Sequence, residues 1–231
     1  MLTVRKSNER GHANHGWLDS NFSFSFADYY DPAQMGFRAL RVINEDRIAP
    51  AMGFGKHPHR DMEILTYVLE GAIAHEDSTG ANETLTPGEL QHMSAGSGVR
   101  HSEMNPSQSE TCHMLQIWLM PNRLGIPAKY EQKRFAVATE KNRLHLLASE
   151  DGRDGSFVLA SDAELLAAKL EAGASVMHNF RGGFGWLQVA RGGVIVNGVA
   201  LEQGDAVEIS GESALTIESA DGGEVLLFDL D

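Results

Sequence analysis

Cysteine is almost absent from this chain. The single Cys112 has no partner for an internal disulfide and no CxxC pair occurs, which suits a reducing cytosol and reads as a buried strand residue rather than a reactive thiol. Long apolar runs are missing too. No stretch approaches the roughly 18 apolar residues that span a bilayer, and the N-terminal segment MLTVRKSN has no apolar signal-peptide core. A cytoplasmic protein with no membrane contact is therefore expected. Basic side chains are scarce: 19 Lys and Arg stand against 32 Asp and Glu, for a net charge of −13. Such a surface repels phosphate backbones and anionic lipid heads, which argues against direct nucleic-acid binding. Familiar catalytic signatures are also lacking: no GxGxxG opens a helix, and no Walker loop, GxSxG elbow or HExxH occurs.

What the chain does have is glycine, 24 residues of it, spread as tight turns between short strands require. EILTYVL (63–69) stops at Glu70-Gly71, and MLQIWLM (114–120) stops at Pro121-Asn122. Short apolar runs bounded in this way read as strands. One stretch disagrees: 162–172 (DAELLAAKLEA) is rich in helix formers and has Ser161 or Asp162 as an N-cap candidate. An internal repeat overrules that propensity. With Gly192 placed over Gly71 and Gly204 over Gly88, WLQVAR (186–191) overlies LTYVLE (65–70), and GDAVEIS (204–210) overlies GELQHMS (88–94). The repeat puts a strand at 165–172. The expected fold is all-β, two tandem antiparallel β-barrels joined within 121–135. Residues 1–130 form the first barrel and 131–231 the second.

Ten histidines are present, and two positions stand out. His57-Pro58-His59 puts two imidazoles at i and i+2, on one face of a strand and about 7 Å apart at Cα. His101-Ser102-Glu103 repeats the spacing with an imidazole and a carboxylate, so four ligands can converge across a barrel lumen. Glu63, four residues after His59, is a competing carboxylate. Glu103 is preferred because its spacing to His101 matches that of His57 to His59. His75, His113 and His145 lack partners at ligand spacing and read as surface or strand-edge residues, His12 and His15 as turn residues, and His92 at most as a neighbour of the pocket. The repeat sets His178 over His57 but Phe180, Ile217 and Ser219 over the other three ligands. The second barrel is therefore expected to be metal-free.

The elements from His57 to Gly71 and from Gly88 to Asn105 look like the two cupin motifs. NERGHANHGWLDS (8–20), GFGKHPHRDMEILTYVLEG (53–71) and SAGSGVRHSEMNPS (94–107) resemble the pirin family more narrowly. That resemblance implies a bicupin with jelly-roll barrels, the second one degenerate. It also implies one non-haem metal, usually iron, in the first barrel on His57, His59, His101 and Glu103. Two functions follow from it: quercetin 2,3-dioxygenase activity in bacteria, and metal- or redox-dependent regulatory binding in animals. Three imidazoles and a carboxylate suit Fe(II), Mn, Co, Ni, Cu or Zn. The oxygenase reading takes a flavonol and dioxygen as partners, with Glu103 as the catalytic base, in a monomer.

Overall fold

The structure, a computed structural model, describes residues 1–231 and is almost wholly β, with three short 3₁₀ turns and no α-helix. No helix is long and apolar enough to cross a membrane. The first strand is β1 (Leu2–Arg5). There follow β2 (Gly11–Asn14), β3 (Leu18–Phe22), β4 (Leu40–Ile48), β5 (Gly53–His59), β6 (Glu63–Glu70) and β7 (Ile73–Asp77). Next come β8 (Asn82–Leu85), β9 (Glu89–Ser94), β10 (Val99–Met104), β11 (Cys112–Leu119) and β12 (Lys129–Arg134). The remainder holds β13 (His145–Ser149), β14 (Phe157–Val158), β15 (Ala163–Leu170), β16 (Ser175–Asn179) and β17 (Phe184–Val196). It ends with β18 (Val199–Glu202), β19 (Ala206–Ser210), β20 (Ala214–Glu218) and β21 (Gly223–Leu230).

The chain divides into two compact units. The N-terminal unit has a seven-stranded sheet in the order β12-β9-β6-β11-β4-β3-β2 and a four-stranded sheet in the order β5-β10-β7-β8, all neighbours antiparallel. The apolar runs at 63–69 and 114–120 become the adjacent central strands β6 and β11, which are buried along nearly their whole length. Near-continuous rather than alternating hydrophobicity is what a strand covered on both faces requires. Ile48, Val68, Ile73, Leu85, Cys112 and Met114 form one side of that core, and each large aliphatic buried contributes roughly 1.5–3 kcal/mol. Cys112 is fully buried. Burial first, and then the charges of Glu103 and Asp46, pushes its thiol up to about 12, so it stays protonated.

The C-terminal unit repeats the plan, with the sheet path β1-β19-β17-β21-β15-β13-β14. β17 lies between β19 and β21 as β6 lies between β9 and β11. The glycines that anchored the repeat hold the same backbone role in both halves. Gly71 (φ +71°) and Gly192 (φ +66°) are left-handed, and a Cβ there would stand 2.7 Å from the Thr111 carbonyl oxygen and 2.3 Å from that of Gly222. Only glycine fits such positions without strain. The segment with helical propensity is the strand β15, between β13 and β21 and buried except at Lys169, so sheet context prevails over local preference.

The expected domain boundary needs correction. Residues 1–130 do not form one unit, because Met1–Arg10 and Phe37–Ala39 belong with Phe135–Asp231. β1 pairs antiparallel with β19 from Leu2↔Ile209 to Arg5↔Ala206, and the Lys6 ammonium and Ser7 N–H both donate to Asp205 at 2.8 Å. β12, which straddles the expected cut at 130, stays whole with the first unit on β9. The outer position that β12 fills in one sheet is filled by β1 in the other.

Candidate metal centre

In the N-terminal unit β5 and β10 pair antiparallel with His57 directly opposite His101. Strand alternation puts His57 and His59 on one face, and the three imidazole rings meet with centroids 4.7 Å (His57–His59), 4.4 Å (His57–His101) and 4.8 Å (His59–His101) apart. Ligand nitrogens of all three lie within 4.8 Å of one another. A register shift lets β5 carry one extra residue here, so that Glu103 faces Phe54 rather than Gly55. That bulge at Gly55–Lys56 turns the Gly55 carbonyl toward His57, whose Nδ1 lies 2.8 Å away. With Nδ1–H donating there, the lone pair of His57 is on Nε2. His59 packs edge-on against Trp118 at 4.9 Å.

The electrostatics suit a cation. Burial, reinforced by the neighbouring His57, lowers the pKa of His59 to about 4. Burial again leads at His101, with His57, His59 and His75 adding to it, and its pKa falls to about 3. Both rings are neutral near neutral pH and keep a lone pair for a metal. His101 Nε2 is buried and has no hydrogen-bond partner, an unmet demand that a divalent ion would satisfy. The residues fit the group.

Glu103 is buried on the same strand, with its carboxylate in a polar cradle. Oε1 is approached by Thr66 Oγ1 (3.4 Å) and Gln91 Nε2 (3.2 Å), and Oε2 by Gln116 Nε2 (2.9 Å). It shares a cluster of possible ligand atoms with His101 and His75. Glu63 points elsewhere: it accepts from His92 Nε2 at 2.7 Å and Ser94 Oγ at 2.5 Å. His92 is therefore a partner of Glu63 and does not line the cavity at the imidazoles.

His75 was expected at the surface or a strand edge and is neither. It is buried on β7, beside β10, with Nδ1 3.4 Å from His101 Nδ1 and Nε2 2.9 Å from Asp77 Oδ2. Its ring stacks on Tyr130 at 4.4 Å. The pair His75-Glu76-Asp77 carries the same i, i+2 signature as the ligand pairs and was legible on that ground. His113 and His145 are likewise buried, on Glu45 (2.9 Å) and on the Glu140 carbonyl (2.7 Å). In the second unit His178 bonds Asp229 at 2.8 Å and lies opposite Leu215, where His57 has His101.

A cavity of about 480 Å³ opens on the imidazoles. Trp17, Phe54, Phe26, Ile64 and Trp118 give it apolar walls, with Trp17–Phe54 and Phe26–Trp118 in edge-to-face pairs at 5.3 Å. Asn44, Asp46 and Gln116 add polar groups. Asn44 Oδ1 and Trp118 Nε1 are buried without partners.

Comparison with known proteins agrees with this architecture. A family profile described as Pirin matches residues 3–119, and one described as Quercetinase C-terminal cupin domain matches residues 146–230. The chain belongs to the pirin family. The quercetin 2,3-dioxygenase of Escherichia coli (strain K12) is 52% identical over 231 residues, covering 100% of this chain and 99% of that protein. A pirin-like protein of Caulobacter vibrioides is 40% identical, covering 99% of each. The crystal structure of the bacterial pirin YhhW from Escherichia coli in complex with nickel(II) superposes with a TM-score of 0.94 at 51% identity, covering 100% of this chain and 99% of that one. The all-β bicupin fold is thus that of bacterial pirins.

Proposed function

We propose that this pirin is a metal-dependent dioxygenase that opens the heterocycle of flavonols such as quercetin, with His57, His59, His101 and Glu103 as the metal ligands. The observation that carries the reading is an aromatic-walled cavity of about 480 Å³ with three imidazoles converging at one side, those of His59 and His101 held neutral by burial. Its flat apolar surfaces and few polar groups match a planar polyphenol. The name of the Escherichia coli relative supports the choice of substrate.

When bound, a divalent ion, Fe(II) by preference, supplies Lewis acidity toward a substrate hydroxyl and electronic access to dioxygen. The chain's own residues do the rest. Trp17, Phe54 and Trp118 exclude water and hold the ring system in a plane. Asn44 Oδ1, buried and unpaired, accepts a hydrogen bond from a phenolic hydroxyl. Glu103 takes the proton of the flavonol 3-hydroxyl, and Gln116 and Gln91 keep its carboxylate aimed as the charge changes. The overall reaction balances as flavonol plus dioxygen giving a ring-opened ester plus carbon monoxide, both atoms of dioxygen remaining in the ester. The test is anaerobic metal-loaded protein mixed with quercetin. The visible band should persist until oxygen is admitted, then bleach with release of carbon monoxide. Absence of bleaching with Fe, Mn, Co, Ni and Cu alike would overturn the assignment.

A further inference from the structure

We infer that Asp77 and His75 are positioning residues that fix the tautomer of His101, through a proton chain running from the Asp77 carboxylate to the nitrogen offered to the metal. The inference rests on the metal-site reading above and adds two residues to it.

The chain begins at Asp77. Its Oδ1 accepts three hydrogen bonds: from Thr79 N (2.7 Å), Thr79 Oγ1 (2.6 Å) and Ala81 N (3.2 Å). That oxygen is saturated with donors, and the carboxylate cannot rotate without breaking all three. Oδ2 is left for His75 Nε2 at 2.9 Å, both side chains being fully buried. A carboxylate oxygen only accepts, so His75 carries a proton on Nε2, and in the neutral ring the lone pair is then on Nδ1. That lone pair lies 3.4 Å from His101 Nδ1. Two facing ring nitrogens are compatible only if one donates, so His101 carries its proton on Nδ1. Its Nε2 is then the unprotonated nitrogen, the same atom that is buried and has no hydrogen-bond partner. With both rings neutral, each step follows from the one before it.

The arrangement also holds His75 in place mechanically. Its ring stacks at 25° on Tyr130, whose hydroxyl is 3.2 Å from Gln91 Oε1, and Gln91 in turn holds Glu103. β7 and β12 thus support the two ligands of β10 from behind. Metal-ligating histidines characteristically donate their second nitrogen to such a partner, and loss of the partner costs 10- to 100-fold in affinity. Here the direct partner is a second imidazole, and the carboxylate acts one residue further back.

Asp77→Asn is the discriminating variant. With Oδ1 kept as oxygen by its three donors, the amide nitrogen takes the place of Oδ2 and confronts His75 Nε2–H. His75 must move its proton to Nδ1, and His101 must then accept there and protonate Nε2. Nitrogen-15 NMR of the metal-free protein reads this directly. Wild type should show His101 as the Nδ1–H tautomer, and Asp77→Asn should shift it to Nε2–H. Competition with a chromophoric chelator for Fe(II) or Ni(II) should show affinity weakened 10- to 100-fold in Asp77→Asn and in His75→Phe, which keeps the stack on Tyr130. His75→Asn, whose Oδ1 can stand where Nδ1 stood, should stay within a few fold of wild type.

An Nε2–H tautomer for His101 in the wild type would overturn the inference. So would unchanged affinity in both Asp77→Asn and His75→Phe. A second metal equivalent in wild type that disappears in His75→Phe would also refute it, by making His75 a ligand within the His75–His101–Glu103 cluster. The NMR arm uses metal-free wild type, so failure of the metal reading, seen as no Fe(II) or Ni(II) bound by wild type, is distinguished from failure of the relay.

Discussion

Replacing Asp46 by Asn probes the charge balance of the cavity through stability alone. Asp46 lines the cavity on β4 and is 3% exposed, and Ser20 Oγ donates to its carboxyl. Burial raises its pKa from 3.8 to about 7, the nearby charges of Glu103 and Glu45 adding to the rise and the Ser20 hydroxyl opposing it. A carboxyl raised in the folded state binds its proton more tightly there than in the unfolded chain. Its contribution is therefore fully present below about pH 4 and is lost as pH rises toward 7, beyond which it is flat. A shift of about three units corresponds to about 4 kcal/mol overall, of which about 2.5 kcal/mol falls between pH of about 5 and about 8. The amide that replaces the carboxyl has no proton to lose. Urea unfolding of chelator-treated wild type and Asp46→Asn at those two pH values should therefore show the variant gaining about 2.5 kcal/mol on wild type at the higher pH. His59 and His101 also titrate across an acidic range, but they do so in both proteins and cancel in the comparison. A stability difference that does not change with pH would refute the reasoning, because it would place an ordinary carboxyl at position 46.

His101→Ala should reduce bound metal measured by elemental analysis to near zero, whereas His178→Ala should leave it intact while costing about 1–3 kcal/mol in urea unfolding, since the buried Asp229 loses its imidazole. Gln116→Leu removes the 2.9 Å donor to Glu103 Oε2, and the metal-free protein should lose about 1–3 kcal/mol by urea unfolding. Gly96→Ala should destabilise by about 3 kcal/mol or more, read as a fall in thermal midpoint, because Gly96 has φ +42° and an added Cβ would stand 2.1 Å from the Ile126 carbonyl oxygen. A wild-type midpoint in that variant would mean that the turn before β10 relaxes freely.

Much of the fold was readable because its signals are local or periodic. The apolar runs that became β6 and β11, and the left-handed glycines at equivalent positions of both halves, are properties of short segments. β15 shows the opposite case, in which only the repeat revealed a strand that propensity denied. The placement of β1 was not readable, because pairing with β19 some 200 residues away leaves no mark in a four-residue strand of mixed exposure. Glu63 and Glu103 were separable in sequence by a spacing match and by the family resemblance, and the structure shows why alternation was insufficient. Glu63 starts β6 and meets His92 and Ser94 of β9, neighbours that no period within β6 announces.

The residues around the candidate metal centre share one sequence signature that extends beyond the HxH and HxE pairs. His57 and His59 on β5, His101 and Glu103 on β10, His75 and Asp77 on β7, and Asn44 and Asp46 on β4 are all polar pairs at i and i+2. Six of the eight are buried, and six line the cavity. Alternation gives both members of such a pair the same face, and an inward face of a small β-barrel is ordinarily apolar. A buried polar pair at this spacing therefore has to be offset by hydrogen bonds or a ligand. Two pairs supply the proposed ligands. A third is satisfied internally, Asp77 holding His75 behind His101. The fourth leaves Asn44 Oδ1 without a partner at the cavity wall, and a substrate hydroxyl is the group that would complete it.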